Sequence, residues 1–198
     1  MIDFYELGLI AGMRAGRPEA FAELYDRYAR RLKGYALRLT GDNSDAEDLV
    51  QETLLAAWQG RETFRGRVKL LSWLLGIASR RWRDRCRQRS VSTISLTLQE
   101  GEFEIPSQEA SHKSLEKEVI LQLTLEAALA TLELPFREAL LLVHSQGMTY
   151  KEAAEILAEP IGTVKWRVSE ALKKVKQKLT DSEEEFNELQ QTATRAIG

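Results

Sequence analysis

The sequence predicts an all-α protein with two small helical domains joined by a flexible linker. The first would be an N-terminal helical bundle and the second a C-terminal helix-turn-helix domain. Apolar residues recur at helical spacing on both sides of a middle stretch that is rich in Ser, Thr, Glu, Gly and Pro and lacks this periodicity. The predicted boundaries are a first domain over 1–89, a linker over 90–113, a second domain over 114–180 and an acidic tail over 181–198.

In the first domain, a short helix is predicted over 4–13 and a long one from Pro18, a residue that suits a first helical turn. Gly41 is the expected C-terminal cap of the long helix. A further helix is predicted to open at Ser44, because Glu47 follows at the spacing of a capping box, and to end at Gly60. Its exposed face should be acidic around one leucine and should carry Glu47, Asp48, Gln51, Glu52 and Leu55.

A loop over 61–67 leads into a helix predicted over 68–89. The first half of this helix is amphipathic, whereas its second half carries arginines around the whole circumference. Such a helix is expected to face water or a polyanion rather than a core. The arginines are Arg80, Arg81, Arg83, Arg85, Arg87 and Arg89.

The second domain should contain a helix over 114–132 and another over 135–146. A third should start with Thr149 as N-cap and Glu152 as its capping-box partner. A fourth is predicted over 161–179, and the acidic tail after it is expected to fray. The last two helices are separated by a tight turn and the second of them is basic, which is the arrangement of a DNA-binding helix-turn-helix.

Charge is strongly segregated along the chain, although the net charge is only −2. Ten basic and two acidic residues give 61–90 a net charge of +8, and six basic and one acidic residue give 165–178 a net charge of +5. Clustered basic charge on an acidic background is typical of a protein that binds nucleic acid.

Other classes of protein find little support. No apolar run approaches the roughly 20 residues that a membrane span needs, so we do not expect an integral membrane protein. Cys86 is the only cysteine, and neither His112 nor His144 has metal-ligand spacing, so no metal site or cofactor is expected. No phosphate-binding glycine loop or nucleophile elbow is present, so an enzyme acting on a small-molecule substrate is not expected either.

The fourth helix of the second domain is the candidate recognition helix. Its basic residues could neutralise phosphates or donate to guanine, and the backbone of its first turn could hold a phosphate. The candidate DNA-binding residues of this domain are Thr149, Gly162, Thr163, Lys165, Trp166, Arg167, Ser169, Glu170, Lys173 and Lys174.

Motifs in both halves resemble one protein family. The run Glu-Ala-Ala-Glu-Ile-Leu over 152–157, then Pro-Ile-Gly-Thr-Val-Lys over 160–165, resembles region four of bacterial sigma factors. The run Asp-Ala-Glu-Asp-Leu-Val-Gln-Glu-Thr over 45–53, with Phe-Arg-Gly over 64–66, resembles region two. The short linker is similar to that of the extracytoplasmic-function (ECF) group.

The resemblance implies that this chain binds core RNA polymerase through the acidic face around Leu55. It also implies promoter binding, with the recognition helix on the minus-thirty-five element, and an anti-sigma factor as a further partner. The protein would act in the cytoplasm, or at the inner membrane when the anti-sigma factor holds it there. The residues implied for the minus-ten element are Arg65, Arg67, Lys69, Arg80, Arg81, Trp82, Arg83 and Arg85.

Several positions depart from the family pattern. They include Ala158, usually glycine, Trp166 in place of a small residue, Ser169-Glu170 where an aromatic residue or His is commonly followed by Arg, and the segment 68–70, which lacks the usual Ser-rich, Phe-containing helix start. They affect promoter preference rather than class. The alternative is a stand-alone helix-turn-helix repressor. Such a protein would usually dimerise on a two-fold site, and it would have no use for the acidic face and the arginine-rich helix of the first domain.

Overall fold

The computed structural model describes residues 4–66, 68–93 and 123–197, with side chains placed over 6–66, 68–89 and 123–181. Every regular element in these ranges is helical, which confirms the all-α prediction. Residues 94–113 of the predicted linker, which include His112, and the start of the helix over 114–132 lie outside the described residues. Residues 90–93 were predicted as linker but belong to the helix that ends at Thr93. The elements are α1 Phe4–Arg14, α2 Pro18–Thr40, α3 Asn43–Gln59, a 3₁₀ turn Arg61–Thr63, α4 Leu70–Thr93, α5 over 123–130, α6 Leu134–Leu140 continued by a π-helical turn Leu141–Ser145, α7 Tyr150–Leu157 and α8 Ile161–Ile197.

Three of the predicted helix ends in the first domain are confirmed. Pro18 lies in the first turn of α2, and Gly41 caps its C-terminus in the left-handed conformation with φ 76°, donating its N–H to the Leu37 carbonyl. Glycine adopts this conformation readily because it has no Cβ atom to clash with the backbone. α3 ends before Gly60, as expected, and the Gly60 N–H donates to carbonyl groups in the last turn of the helix.

The predicted start of α3 at Ser44 is wrong. Asp42 is the N-cap, and its Oδ1 accepts a hydrogen bond from the Asp45 N–H at 2.7 Å. Glu47 therefore does not close a capping box; its carboxylate instead accepts from Lys33 Nζ at 2.8 Å. Aspartate and serine are about equally good N-caps, so composition alone did not separate two candidates two residues apart.

The basic second half of α4 packs into a core on one side, so the prediction that it could not do so is wrong. Trp82 is only 6 % exposed and Ser79 is fully buried, and the Ser79 hydroxyl shares a 2.7 Å hydrogen bond with the Tyr35 hydroxyl of α2. The helix also begins at Leu70 rather than 68, where the Leu70 N–H donates to Glu6 Oε1 at 2.8 Å, and it runs on to Thr93. These hydrogen bonds satisfy the buried polar groups of α4, so this side of the helix can pack into the core.

In the second domain, the predicted capping box at the start of α7 is confirmed. Thr149 Oγ1 accepts from the Glu152 N–H at 3.2 Å, and Glu152 Oε2 accepts from the Thr149 N–H at 2.8 Å. α8 does not end near residue 179 as predicted, because its backbone stays helical to Ile197. After Gly162 in the first turn, residues 163–197 contain neither glycine nor proline, so nothing in the sequence stops the helix.

Ala158 adopts the left-handed conformation between α7 and α8, with φ 56° and ψ 45°. Alanine in this region costs roughly 1–2 kcal/mol, because its Cβ approaches the following carbonyl oxygen. Ala158→Gly is therefore expected to stabilise the fold by about 1 kcal/mol, measured as the free energy of unfolding in urea. Ala22→Gly on the exposed surface of α2 is the control, and it should destabilise by about 0.5–1 kcal/mol. If both variants changed the free energy of unfolding in the same direction, the strain argument would be contradicted.

The apolar core runs without interruption through both halves of the described chain. In the first half it is centred on Leu24, Leu32, Leu49 and Leu74, all fully buried or nearly so. In the second half the buried stripe of α8, which includes Val164 and Val168, packs on α6 and α7. α7 also packs directly against α4, so the two halves form one contiguous body.

Candidate polymerase and nucleic-acid interface

The exposed face of α3 lies where the sequence predicted it. Asp48 and Gln51 are exposed, and Leu55 keeps 52 % of its surface in contact with solvent. Glu47 is also exposed, and its hydrogen bond from Lys33 holds the pKa of its carboxyl below the usual value. The result is an acidic surface with one apolar side chain near its centre, which suits a basic protein partner.

Glu52 belongs to a different environment from the rest of this face. Its carboxylate turns toward α4, where it accepts from Arg85 Nη2 at 2.6 Å and lies 3.7 Å from Arg81. Asp45 makes a parallel contact, 3.2 Å from Arg85 and 2.8 Å from Arg89. Hydrogen bonds from Arg89 are the main reason why the pKa of Asp45 lies below its usual value. These ion pairs clamp α3 to the arginine-rich half of α4.

Many of the side chains predicted to bind the minus-ten element are therefore engaged in contacts within the protein. Trp82 is buried, and the guanidinium groups of Arg85 and Arg89 lie 5.8 and 5.7 Å from the centre of its ring. A base cannot stack on this indole as the chain is folded here, so the interpretation of Trp82 as a DNA contact is not supported. Arg80 and Arg65 remain exposed, and Arg67 lies outside the described residues.

Contacts from α6 and α7 cover part of α4. Arg83 donates to the Leu157 carbonyl at 3.3 Å and lies 3.5 Å from Glu138. Nearer the start of α4, the Ser72 hydroxyl donates to the Met148 sulfur at 3.3 Å, and Lys69 lies 3.5 Å from Glu152. Two predicted minus-ten residues, Lys69 and Arg83, thus face the other half of the chain.

Glu138 is the most unusual group in this contact. Its side chain is 2 % exposed, and its Oε1 has no hydrogen-bond partner although Arg83 Nε is 3.5 Å away. Burial raises the pKa of this carboxyl to about 7, and Arg83 offsets only part of that effect. A carboxyl that titrates near neutral pH therefore lies in the contact between α6 and α4.

A second set of contacts joins α2 to the later helices. Arg31 donates to the Gln146 carbonyl at 2.6 Å and to its side-chain oxygen at 3.2 Å. Arg137 donates to the Leu39 carbonyl at 2.9 Å, at the end of α2. The sequence analysis did not identify these residues, since a lone arginine on a helix carries no pattern that distinguishes such a contact from a solvated position.

The recognition helix α8 presents its polar residues on the surface opposite its buried valines. Thr149 serves as an N-cap, Lys165 Nζ lies 5.8 Å from the centre of the Tyr150 ring, and Gly162 and Thr163 lie in the first turn of α8. Four of the predicted DNA contacts are already paired within the domain: Arg167, Glu170, Lys173 and Lys174. Arg167 donates to Glu159 at 2.7 Å, and Lys173 donates to Glu170 at 2.6 Å.

Neither a metal centre nor a membrane-crossing helix emerges from the part of the chain that the structure describes. No group of three or more His, Cys, Asp or Glu side chains there could hold a metal ion. None of the helices described is long and apolar enough to cross a bilayer.

An all-α chain with a capped helix-turn-helix and a separate arginine-rich helix is a transcription protein of the DNA-binding class. Residues 24–91 match the protein-family model for Sigma-70 region 2, and residues 122–175 match that for Sigma-70, region 4. This chain belongs to the ECF RNA polymerase sigma factors. The matches span both halves, so they confirm the sequence-based prediction and do not favour the repressor alternative.

Individual relatives agree with this assignment. The chain is 35 % identical to the ECF RNA polymerase sigma factor EcfG of Rhodopseudomonas palustris, over 78 % of this chain and 83 % of that protein. It is 32 % identical to the ECF sigma factor SigL of Mycobacterium tuberculosis, over 83 % of this chain and 91 % of that protein. Among solved structures, the sigma factor RpoE bound to the anti-sigma factor NepR from Bartonella quintana superposes with a TM-score of 0.69 at 28 % identity, covering 81 % of this chain and 96 % of that one.

Proposed function

We propose that this sigma factor binds core RNA polymerase through the exposed face of α3, contacts the minus-ten element with the 61–67 loop and α4, and reads the minus-thirty-five element with α8. One observation carries the proposal: the acidic α3 face centred on Leu55 is exposed in a chain that also presents a basic recognition helix. A stand-alone regulator has no use for the first of these surfaces. The protein opens promoter DNA without catalysing a reaction of its own.

The contact between the two halves makes core polymerase necessary for promoter binding. Lys69 and Arg83 are occupied by Glu152 and Glu138, and α7 lies along α4. The two halves must separate before Lys69 and Arg83 can reach a DNA backbone, and binding to polymerase would supply the free energy for that step. The free protein is therefore expected to bind promoter DNA weakly.

An anti-sigma factor is the other partner in this proposal. The related RpoE was solved in complex with the anti-sigma factor NepR, and that protein covers most of this chain at a TM-score of 0.69. An inhibitor that holds the two halves together would keep Lys69 and Arg83 on their internal partners and away from DNA, and it would block polymerase only by covering the exposed α3 face as well. The protein would act in the cytoplasm, or wait at the inner membrane if its inhibitor is anchored there.

In vitro transcription tests the proposal directly. Purified core RNA polymerase is incubated with genomic fragments from the source organism, with and without this protein, and the start sites are mapped. New starts that depend on the protein and share a two-part upstream motif are expected. Polymerase-independent binding to a palindromic site, with no new starts, would instead identify a repressor.

Lys165→Ala is expected to weaken promoter binding by the holoenzyme about equally for all sequences, because an exposed lysine on α8 would contact phosphate rather than a base. The slope of log K against log salt concentration should fall by about 1. Arg17→Ala, an exposed cation near the start of α2, is the control and should leave the slope unchanged. An unchanged slope for Lys165→Ala would remove this residue from the DNA contact.

A further inference from the structure

Trp166 is the most exposed large apolar side chain in the described part of the protein, at 56 %. It lies on α8 two residues from both Val164 and Val168, which are buried, and about 100° of rotation per residue therefore places it on the opposite side of the helix. The apolar stripe of α8 does not account for it. An indole at this point is presented outward, on the side of the recognition helix that is available to a ligand.

The indole is held in one orientation by a second aromatic ring. Phe136 of α6 packs against it edge to face, with ring centres 5.3 Å apart and planes inclined at 62°. Lys174 Nζ lies 4.9 Å from the centre of the Phe136 ring and 3.8 Å from Glu133. Aromatic pairs of this edge-to-face geometry attract each other beyond what the area they bury provides. Trp166 is thus positioned before any ligand arrives.

The surroundings of Trp166 indicate what this ring would meet. Lys165 and Lys173 are exposed on α8 before and after it, and Glu170 pairs with Lys173 at 2.6 Å, so the polar border of the indole is mixed but keeps a net positive charge. In the major groove, the apolar group available for recognition is the C5-methyl of thymine, and it is surrounded by phosphates that cations attract. Lysines around the indole would not help an apolar protein partner to bind.

We propose that Trp166 contacts the 5-methyl group of a thymine in the minus-thirty-five element, and that Phe136 is a positioning residue that fixes the indole for this contact. The inference rests on the proposed function, since it requires α8 to lie in the major groove. It deepens that function by naming a base and the group on the base that is read. The family pattern has a small residue at this position, so the preference would be particular to this chain.

Thymine-to-deoxyuridine replacement isolates the methyl group. Each thymine of the mapped minus-thirty-five element is replaced singly by deoxyuridine, and promoter affinity of the holoenzyme is measured for the wild type, Trp166→Ala and Phe136→Leu. One replacement is expected to cost the wild type about fivefold, the low end of the discrimination that a good base contact provides. Trp166→Ala should bind both promoters equally, and Phe136→Leu should retain only part of the difference. A deoxyuridine in the spacer is the DNA control.

Several results would overturn the inference. They are a minus-thirty-five element without thymine, no effect of any replacement, or an effect that Trp166→Ala retains in full. Loss of core polymerase binding by Trp166→Ala, with unchanged discrimination on DNA, would assign the indole to a protein contact. If the wild-type holoenzyme recognises no promoter at all, the proposed function itself fails, which is a separate outcome from a holoenzyme that binds but ignores the methyl group.

Discussion

Replacing Leu55 with glutamate is expected to weaken binding to core RNA polymerase by about thirtyfold or more, because an interface hot spot is worth at least about 2 kcal/mol. Leu55 is 52 % exposed on the α3 face, one helical turn after Gln51 and two turns after Glu47 and Asp48. Glutamate would remove the one apolar contact of this face, and its carboxylate would have to be desolvated in the complex. The free protein should lose little stability, since surface substitutions usually change it by less than about 0.5 kcal/mol.

Leu7 provides a matched control for this experiment. It lies on α1 and has the same 52 % exposure, so Leu7→Glu makes the same chemical change outside the proposed interface. Affinity for core polymerase would be measured for both variants by titration with a labelled sigma factor, and stability by urea unfolding. Equal losses for the two variants, or no loss for Leu55→Glu, would show that the α3 face is merely a solvated surface.

Glu138→Gln is expected to remove a pH dependence of stability that the wild type possesses. Burial raises the pKa of Glu138 from 4.5 to about 7 in the folded state. The folded protein therefore binds a proton more tightly than the unfolded chain does, and this contribution to stability is lost as pH rises from about 4.5 to 7. At 1.36 kcal/mol for each pH unit, the loss between pH 5 and pH 8 is about 3 kcal/mol. Glutamine keeps the size of the side chain and cannot ionise.

The measurement is the free energy of unfolding of both proteins between pH 5 and pH 8. The free energy of unfolding of the variant should increase relative to that of the wild type as pH rises, because only the wild type must bury a carboxylate at pH 8. Glu133→Gln is the control, since the side chain of Glu133 is 72 % exposed and its removal should not change the pH profile. Parallel profiles for wild type and Glu138→Gln would mean that Arg83, 3.5 Å away, keeps the carboxylate ionised throughout this range.

Features that depend on residues within one or two turns could be predicted from the sequence. The Gly41 cap and the capping box between Thr149 and Glu152 appear as expected, because each is decided by a side chain or a backbone preference next to the helix end. Ala158 takes the left-handed conformation that its position required. The start of α3 was misplaced only because Asp42 and Ser44 compete for the same role.

The candidate site could be predicted in outline but not in its internal pairing. The exposed acidic face of α3 and the outward-facing residues of α8 follow from helical periodicity, which repeats every 3.6 residues and needs no knowledge of neighbours. Whether an arginine faces DNA or a carboxylate depends on the helix beside it. Arg85 meets Asp45 and Glu52 on α3, although 40 and 33 residues separate them in the chain.

By itself, the sequence determined the helices, most of their caps, the basic recognition helix and the class of protein, because local propensity and short motifs specify all of these. Only the tertiary structure decided which charged side chains face solvent and which are buried or paired within the protein. It buried Trp82 and Glu138, turned Arg83 from a candidate DNA contact into a link between the two halves, and set Phe136 against Trp166. The physical reason is that burial and long-range ion pairs depend on how helices pack against one another, and no periodicity within a single helix records that.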